Sequence, residues 1–128
     1  MNVKARIAAT AAGLVAIPAA LLATAPAASA DIDREGYYAG AEWDFSVDRE
    51  RGGFEVSVDI DDAKPGSKWK IVLRHDGKRY VNTTRTADRD GEIEIDTWRK
   101  NTAGKDVFKM KITKVGSKSS VVRTITTR

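Results

Sequence analysis

The sequence has no cysteine, one histidine and three prolines in 128 residues. Without cysteine there is no disulfide, no thiolate metal site and no lipid-bearing thiol, so stability has to come from packing. The single histidine, His75, leaves little room for imidazole-based catalysis. No G-x-S-x-G, H-E-x-x-H or phosphate-cradling glycine loop occurs either. Past residue 30 no segment keeps a helical period. No run there approaches the roughly 20 apolar residues that a membrane span needs.

The first thirty residues read as a cleaved export leader. Lys4 and Arg6 precede an apolar run from Ile7 to about Leu22, broken by Gly13 and Pro18, and Ala28-Ser29-Ala30 sets small residues at −3 and −1. Cleavage is expected before Asp31, which leaves residues 31–128, the size of one small domain. The alanine-rich leader resembles those of high-GC Gram-positive bacteria, so the expected location is secreted and extracellular.

Beyond the leader the pattern alternates apolar with polar, as in Phe54-Glu55-Val56-Ser57-Val58-Asp59-Ile60. Strand side chains point to opposite faces in turn, so each such run buries one row and wets the other. Seven strands are predicted: Trp43 to Val47, Phe54 to Ile60, Lys68 to Arg74, Lys78 to about Thr84, Glu92 to Asp96, Asp106 to Thr113 and Ser120 to Thr127. Gly52-Gly53, Pro65-Gly66, Asp76-Gly77, Asp90-Gly91, Ala103-Gly104 and Gly116-Ser117 supply the turns between them. This spacing predicts an all-β, seven-stranded antiparallel β-sandwich over residues 42–128, preceded by an N-terminal arm at 31–41. Trp69, Ile71, Leu73, Phe108, Met110 and Ile112 are expected to share one core with Phe54, Val56, Val58, Ile93 and Ile95.

Trp69 in the third run, and Asp106-Val107-Phe108-Lys109-Met110 in the sixth, resemble the buried tryptophan and the D-x-Y-x-C of immunoglobulin-like sandwiches, the broad class that includes fibronectin type III modules. Phe108 stands where that family has tyrosine and Met110 where it has cysteine. The family's tyrosine-corner hydrogen bond therefore has no donor here. The resemblance covers about residues 42–127. It implies that runs one, two and five share one sheet, and three, six and seven the other.

Three stretches invite a chemical reading. "TADRDGEIEID" puts Asp88, Asp90 and Gly91 at positions 3, 5 and 6 of a calcium loop, but Thr86 and Thr97 fall where the first and the closing carboxylates belong. It reads chiefly as a turn feeding a strand, with weak calcium binding as the metal alternative. His75, next to Asp76-Gly77, reads as a solvated hairpin-tip residue. Among the aromatics, Trp43 and Trp69 share parity with core residues. Tyr37, Tyr38 and Trp98 are left as candidate ligand contacts, with Trp98 expected to cap the bottom of the core.

The charge layout is the most informative feature. Residues 31–62 carry a net charge of −8, residues 63–98 of +2 and residues 99–128 of +8. On the expected sandwich the outward rows of one sheet become acidic: Asp44, Ser46, Asp48, then Glu55, Ser57, Asp59, then Glu92, Glu94, Asp96. The other sheet turns Lys68, Lys70, Arg74, Lys109 and Lys111 outward. The last run fits less cleanly, because Arg123 shares parity with Val121 and Ile125, which calls for a bulge or an edge position. Like charges across neighbouring strands cost some tenths of a kcal/mol per pair, so a layout by face points to interaction surfaces. The reading is a secreted, non-enzymatic binding or adhesion-type module. Lys68, Lys70, Lys109 and Lys111 form its basic patch, and an anionic cell-wall polymer or an extracellular protein is the expected partner. Sequence-specific nucleic-acid recognition is not expected, since no binding motif or interleaved aromatics accompany the lysines. The alternative is a small extracellular hydrolase using paired carboxylates.

Overall fold

A computed structural model describes residues 32–127; the expected leader, residues 1–30, lies outside them. Among the described residues there is no helix, and so none long and apolar enough to cross a membrane. Eight antiparallel strands form two four-stranded sheets. They are β1 (Ile32–Tyr38), β2 (Ala41–Glu50), β3 (Gly53–Asp61), β4 (Lys68–His75), β5 (Lys78–Thr86), β6 (Ile93–Lys100), β7 (Asp106–Lys114) and β8 (Val121–Thr127). The first sheet runs β1-β2-β3-β6 and the second β5-β4-β7-β8. The expected division of strands between sheets is thus observed, with one strand more than expected.

The additional strand corrects the N-terminal arm. Residues 32–38 pair with β2 along their whole length, from Ile32 opposite Val47 to Tyr38 opposite Ala41. Only Ile32 and Tyr38 of this segment pack against the core, so its alternation is faint in the sequence. Gly36 is what lets it lie down: a Cβ there would sit 2.9 Å from the Trp43 ring. The β1–β2, β2–β3 and β4–β5 hairpins turn through Ala39-Gly40, Arg51-Gly52 and Asp76-Gly77, with φ positive at both residues of each pair. That is the turn whose twist matches paired strands.

The inward rows make a single core. Trp69, Phe45, Phe54, Phe108, Ile71 and Met110 are among its fully buried side chains, each contributing about 1.5–3 kcal/mol through removal from water. All eleven core residues expected from parity are in it, together with Trp43, Phe45 and Val47. Arg123 needs no bulge: β8 is an edge strand in unbroken register with β7. Its guanidinium escapes the interior by lying over the Trp43 ring at 5.1 Å.

Each seam between the sheets is closed by a tyrosine. On the β1–β8 side Tyr38 sets its ring edge-on to Trp69, accepts from Lys114 N at 3.1 Å and donates to Ser119 O at 2.5 Å. On the β5–β6 side Tyr80 meets Thr97 Oγ1 at 3.0 Å. Thr97 spends its own proton on Val56 O, 3.1 Å away, so Tyr80 is the donor.

Candidate functional site

The outward face of the second sheet is basic throughout. β4 turns Lys68, Lys70, Val72 and Arg74 outward, and strand pairing sets Arg79 and Lys109 on either side of Arg74, with Lys111 beside Val72 and Val122. Every charged side chain at an outward position of this sheet is a lysine or arginine. Lys70, Arg74, Arg79, Lys109 and Lys111 surround an open depression of about 380 Å³ whose apolar floor is Val72 and Val122. Three of the four lysines of the expected patch therefore line one depression, together with two arginines. Lys68 does not line the depression; it sits at the far end of β4, where its carbonyl holds the amide of Val115. Arg79 was hidden from sequence reading by the β5 register shift opposite Leu73 and Arg74.

The outward face of the first sheet is the opposite. Every charged residue at its outward positions is a carboxylate except Lys100, at one end. Glu35, Asp44, Asp59 and Glu94 lie in one row across all four strands. Crowding shows in the titration of these groups. Burial, then the charges of Glu94, Asp44, Asp61 and Asp96, push Asp59 up to about 7. Asp96 and then burial raise Glu94, and a hydrogen bond shared with Glu50 raises Glu55.

Trp98 belongs to this acidic face, which corrects its expected place under the core. β6 runs on to Lys100, and parity turns Trp98 outward beside Asp96. It covers Gly53, where a Cβ would come within 2.5 Å of the ring, and donates to Glu50 O at 3.0 Å. It stays 45% exposed. Tyr37 shares the face and is 82% exposed, whereas Tyr38 is committed to the seam.

At one end of the sandwich lies a polar cluster that sequence reading missed. His75 is not a solvated tip residue: its ring is buried, stacked on Phe108 with centroids 4.3 Å apart. Pairing with Phe108 turns it inward even though it ends its strand. Its Nε2 lies 2.7 Å from Asp106 Oδ1, and Arg99 Nε donates to its Nδ1 at 3.2 Å. Asp106 Oδ1 also accepts from the amide and hydroxyl of Thr102, while its Oδ2 is buried with no partner. Asp76 accepts from Val107 N at 2.8 Å, which chiefly holds its carboxyl below the usual range.

His75, Asp76 and Asp106 bring ligand atoms within 4.8 Å of one another, as a divalent metal would require. Arg99 sets the tautomer of the His75 ring. A guanidinium has only donors, so His75 Nδ1 must accept and Nε2 must carry the proton it gives to Asp106. A metal would need the Nε2 lone pair. The cluster is a clasp tying β4 and β7 of the second sheet to β6 of the first. Arg99, stacked 4.1 Å over Tyr80, connects it to the seam.

Asp88 is occupied as a turn former. Its Oδ1 accepts from the amides of Asp90 and Glu92 at 2.8 and 2.9 Å. Gly91 answers a close approach: with φ of +76°, it brings the place of a Cβ to 2.3 Å from Ala63 O. The loop locks the two crossovers together through Ala63 N to Gly91 O, and Asp90 is exposed on its rim. Comparison of the chain with protein-family models, with curated proteins and with solved structures finds no match.

Proposed function

We propose that the chain is a secreted, non-enzymatic binding module that works through its two oppositely charged faces, with the depression on the second sheet as its site for an anionic partner. The observation that carries this is the ring of Lys70, Arg74, Arg79, Lys109 and Lys111 around the floor of Val72 and Val122. Several cations with no carboxylate among them attract a polyanion, and an apolar floor offers contact to its uncharged backbone. A polymer of phosphodiester-linked polyols, as found in cell walls, combines both features. The division of strands, three, six and seven of the expected set against one, two and five, supports the immunoglobulin-like reading.

The test is binding of residues 31–128, which contain the whole core, to poly(glycerol phosphate) measured by calorimetry. Lys70→Glu with Lys109→Glu should weaken binding at least about tenfold. Folding should be nearly unchanged, because exposed substitutions usually shift stability by no more than about 0.5 kcal/mol. Wild-type binding should also fade as salt rises past about 0.15 M, where screening reaches roughly 8 Å. Salt-insensitive binding kept by the double variant would place the site elsewhere, at Tyr37 or Trp98 first.

A further inference from the structure

We propose that the two charged faces also dock on each other between successive copies of this chain, the acidic face of one copy lying on the basic face of the next. This rests on the reading of the faces as binding surfaces and names a second copy as a partner of the basic one. The row Glu35, Asp44, Asp59, Glu94 is matched on the other side of the same small molecule by the row Arg79, Arg74, Lys109. Both faces come from four-stranded sheets of similar length and twist, so they present surfaces of similar shape. It is the pairing of two opposite, oppositely charged faces on one chain, more than either face alone, that fits a second copy.

Size and composition agree. Four strands of seven to ten residues make a face of roughly 500 Å², so a stacked pair would bury on the order of 1,000 Å², the lower bound for a specific contact. The faces are not purely ionic. Tyr37 and Trp98 stand exposed on the acidic one, and Val122, 44% exposed, lies in the basic one, giving the contact apolar anchors and a cation–π option. Docking would also set basic groups against the crowded carboxylates of the acidic face. Because the contacting patches differ and lie on opposite sides of the molecule, the contact is heterologous. It leaves one face of each kind free at the ends and propagates as an open stack.

Sedimentation of residues 31–128 from micromolar to millimolar concentration tests this. Wild type at low salt should show a mass that climbs without stopping at two copies, and it should return to single copies past about 0.15 M salt. Lys70→Glu with Lys109→Glu removes most of the net positive charge of the basic face; Glu35→Lys with Glu94→Lys shifts the acidic face toward positive. Each double variant alone should stay a single copy, and an equimolar mixture of the two should regain association. A wild type that remains single at millimolar concentration and low salt, an assembly that ends at a dimer, or a mixture of folded variants that fails to associate would each overturn the stack. Poly(glycerol phosphate) binding, measured on the same samples, separates the two readings: single copies that still bind the polymer through Lys70 and Lys109 sink only the stack, while loss of both sinks the basic face itself.

Discussion

The two outward faces are built on the same strand geometry, yet they hold like charges in different ways. Aspartate sits on a short stem, so the carboxylates of Asp44, Asp59 and Asp61 stay close to the backbone that sets their spacing. Asp59 is half-buried among them and is pushed up to about 7. Lysine and arginine carry their charge on long flexible stems that can cover apolar floor and splay into water. Around Val72 and Val122 they leave an open depression, where the acidic face has a tight ladder. Equal patterning in sequence therefore yields a strained face and an accommodating one, because stem length decides how far repulsion can relax.

The largest change breaks both faces at once. Trp69 is fully buried beneath the basic sheet, and its Nε1 donates to Ser67 Oγ at 2.9 Å. Trp69→Ala should cost about 3–5 kcal/mol, visible as a fall in the melting midpoint, and binding should be lost along with folding. Unchanged melting would mean that the ring does not pack as described.

A smaller effect is expected at the clasp that holds the sheets together at one end. Asp106→Ala would leave the His75 N–H and the Thr102 amide without their acceptor, which should cost about 2–3 kcal/mol. The loss should be read by denaturant unfolding alongside Asp76→Ala, which removes a more exposed acceptor and should cost less. Equal losses would contradict the buried position of Asp106.

The smallest effect sharpens the contrast most. Asp59 titrates near 7 when folded, above the ordinary value of 3.8. The stability it contributes when protonated is thus full below about pH 4 and is lost as pH rises through 7. Glu94 and Glu55, also raised, act in the same direction. Asp59→Asn should therefore stabilise the protein by about 1 kcal/mol at pH 8, a figure kept low because solvent reaches the group, and by almost nothing at pH 4. Lys109→Gln on the other face should change stability by no more than about 0.5 kcal/mol at either pH. Thermal melts of both variants at the two pH values check this; a pH-independent effect of Asp59→Asn would remove repulsion as its cause.

Period-two alternation by itself determined the all-β class and the inward rows, because burial on a pleated strand forces every second side chain to one side whatever the neighbouring strands are, and the glycine-bearing pairs marked the turns. The sign of each face, and the meeting of Lys70, Lys109 and Lys111, needed in addition the sheet order that the immunoglobulin-like resemblance implies. Only tertiary structure decided the rest. Residues 32–38 became a strand because Gly36 fits over Trp43, a contact with no trace in local pattern. Arg79 joined the depression through a register shift, and Lys68 fell outside it by its distance along β4. His75 shares the inward parity of Trp69, Ile71 and Leu73, so its side was legible; what only packing supplied is the clasp whose partners, Arg99, Thr102 and Asp106, lie on the far side of a crossover. Alternation reports which side of its own strand a residue takes; which other strand lies there, and in what register, is settled by packing between segments distant in the chain.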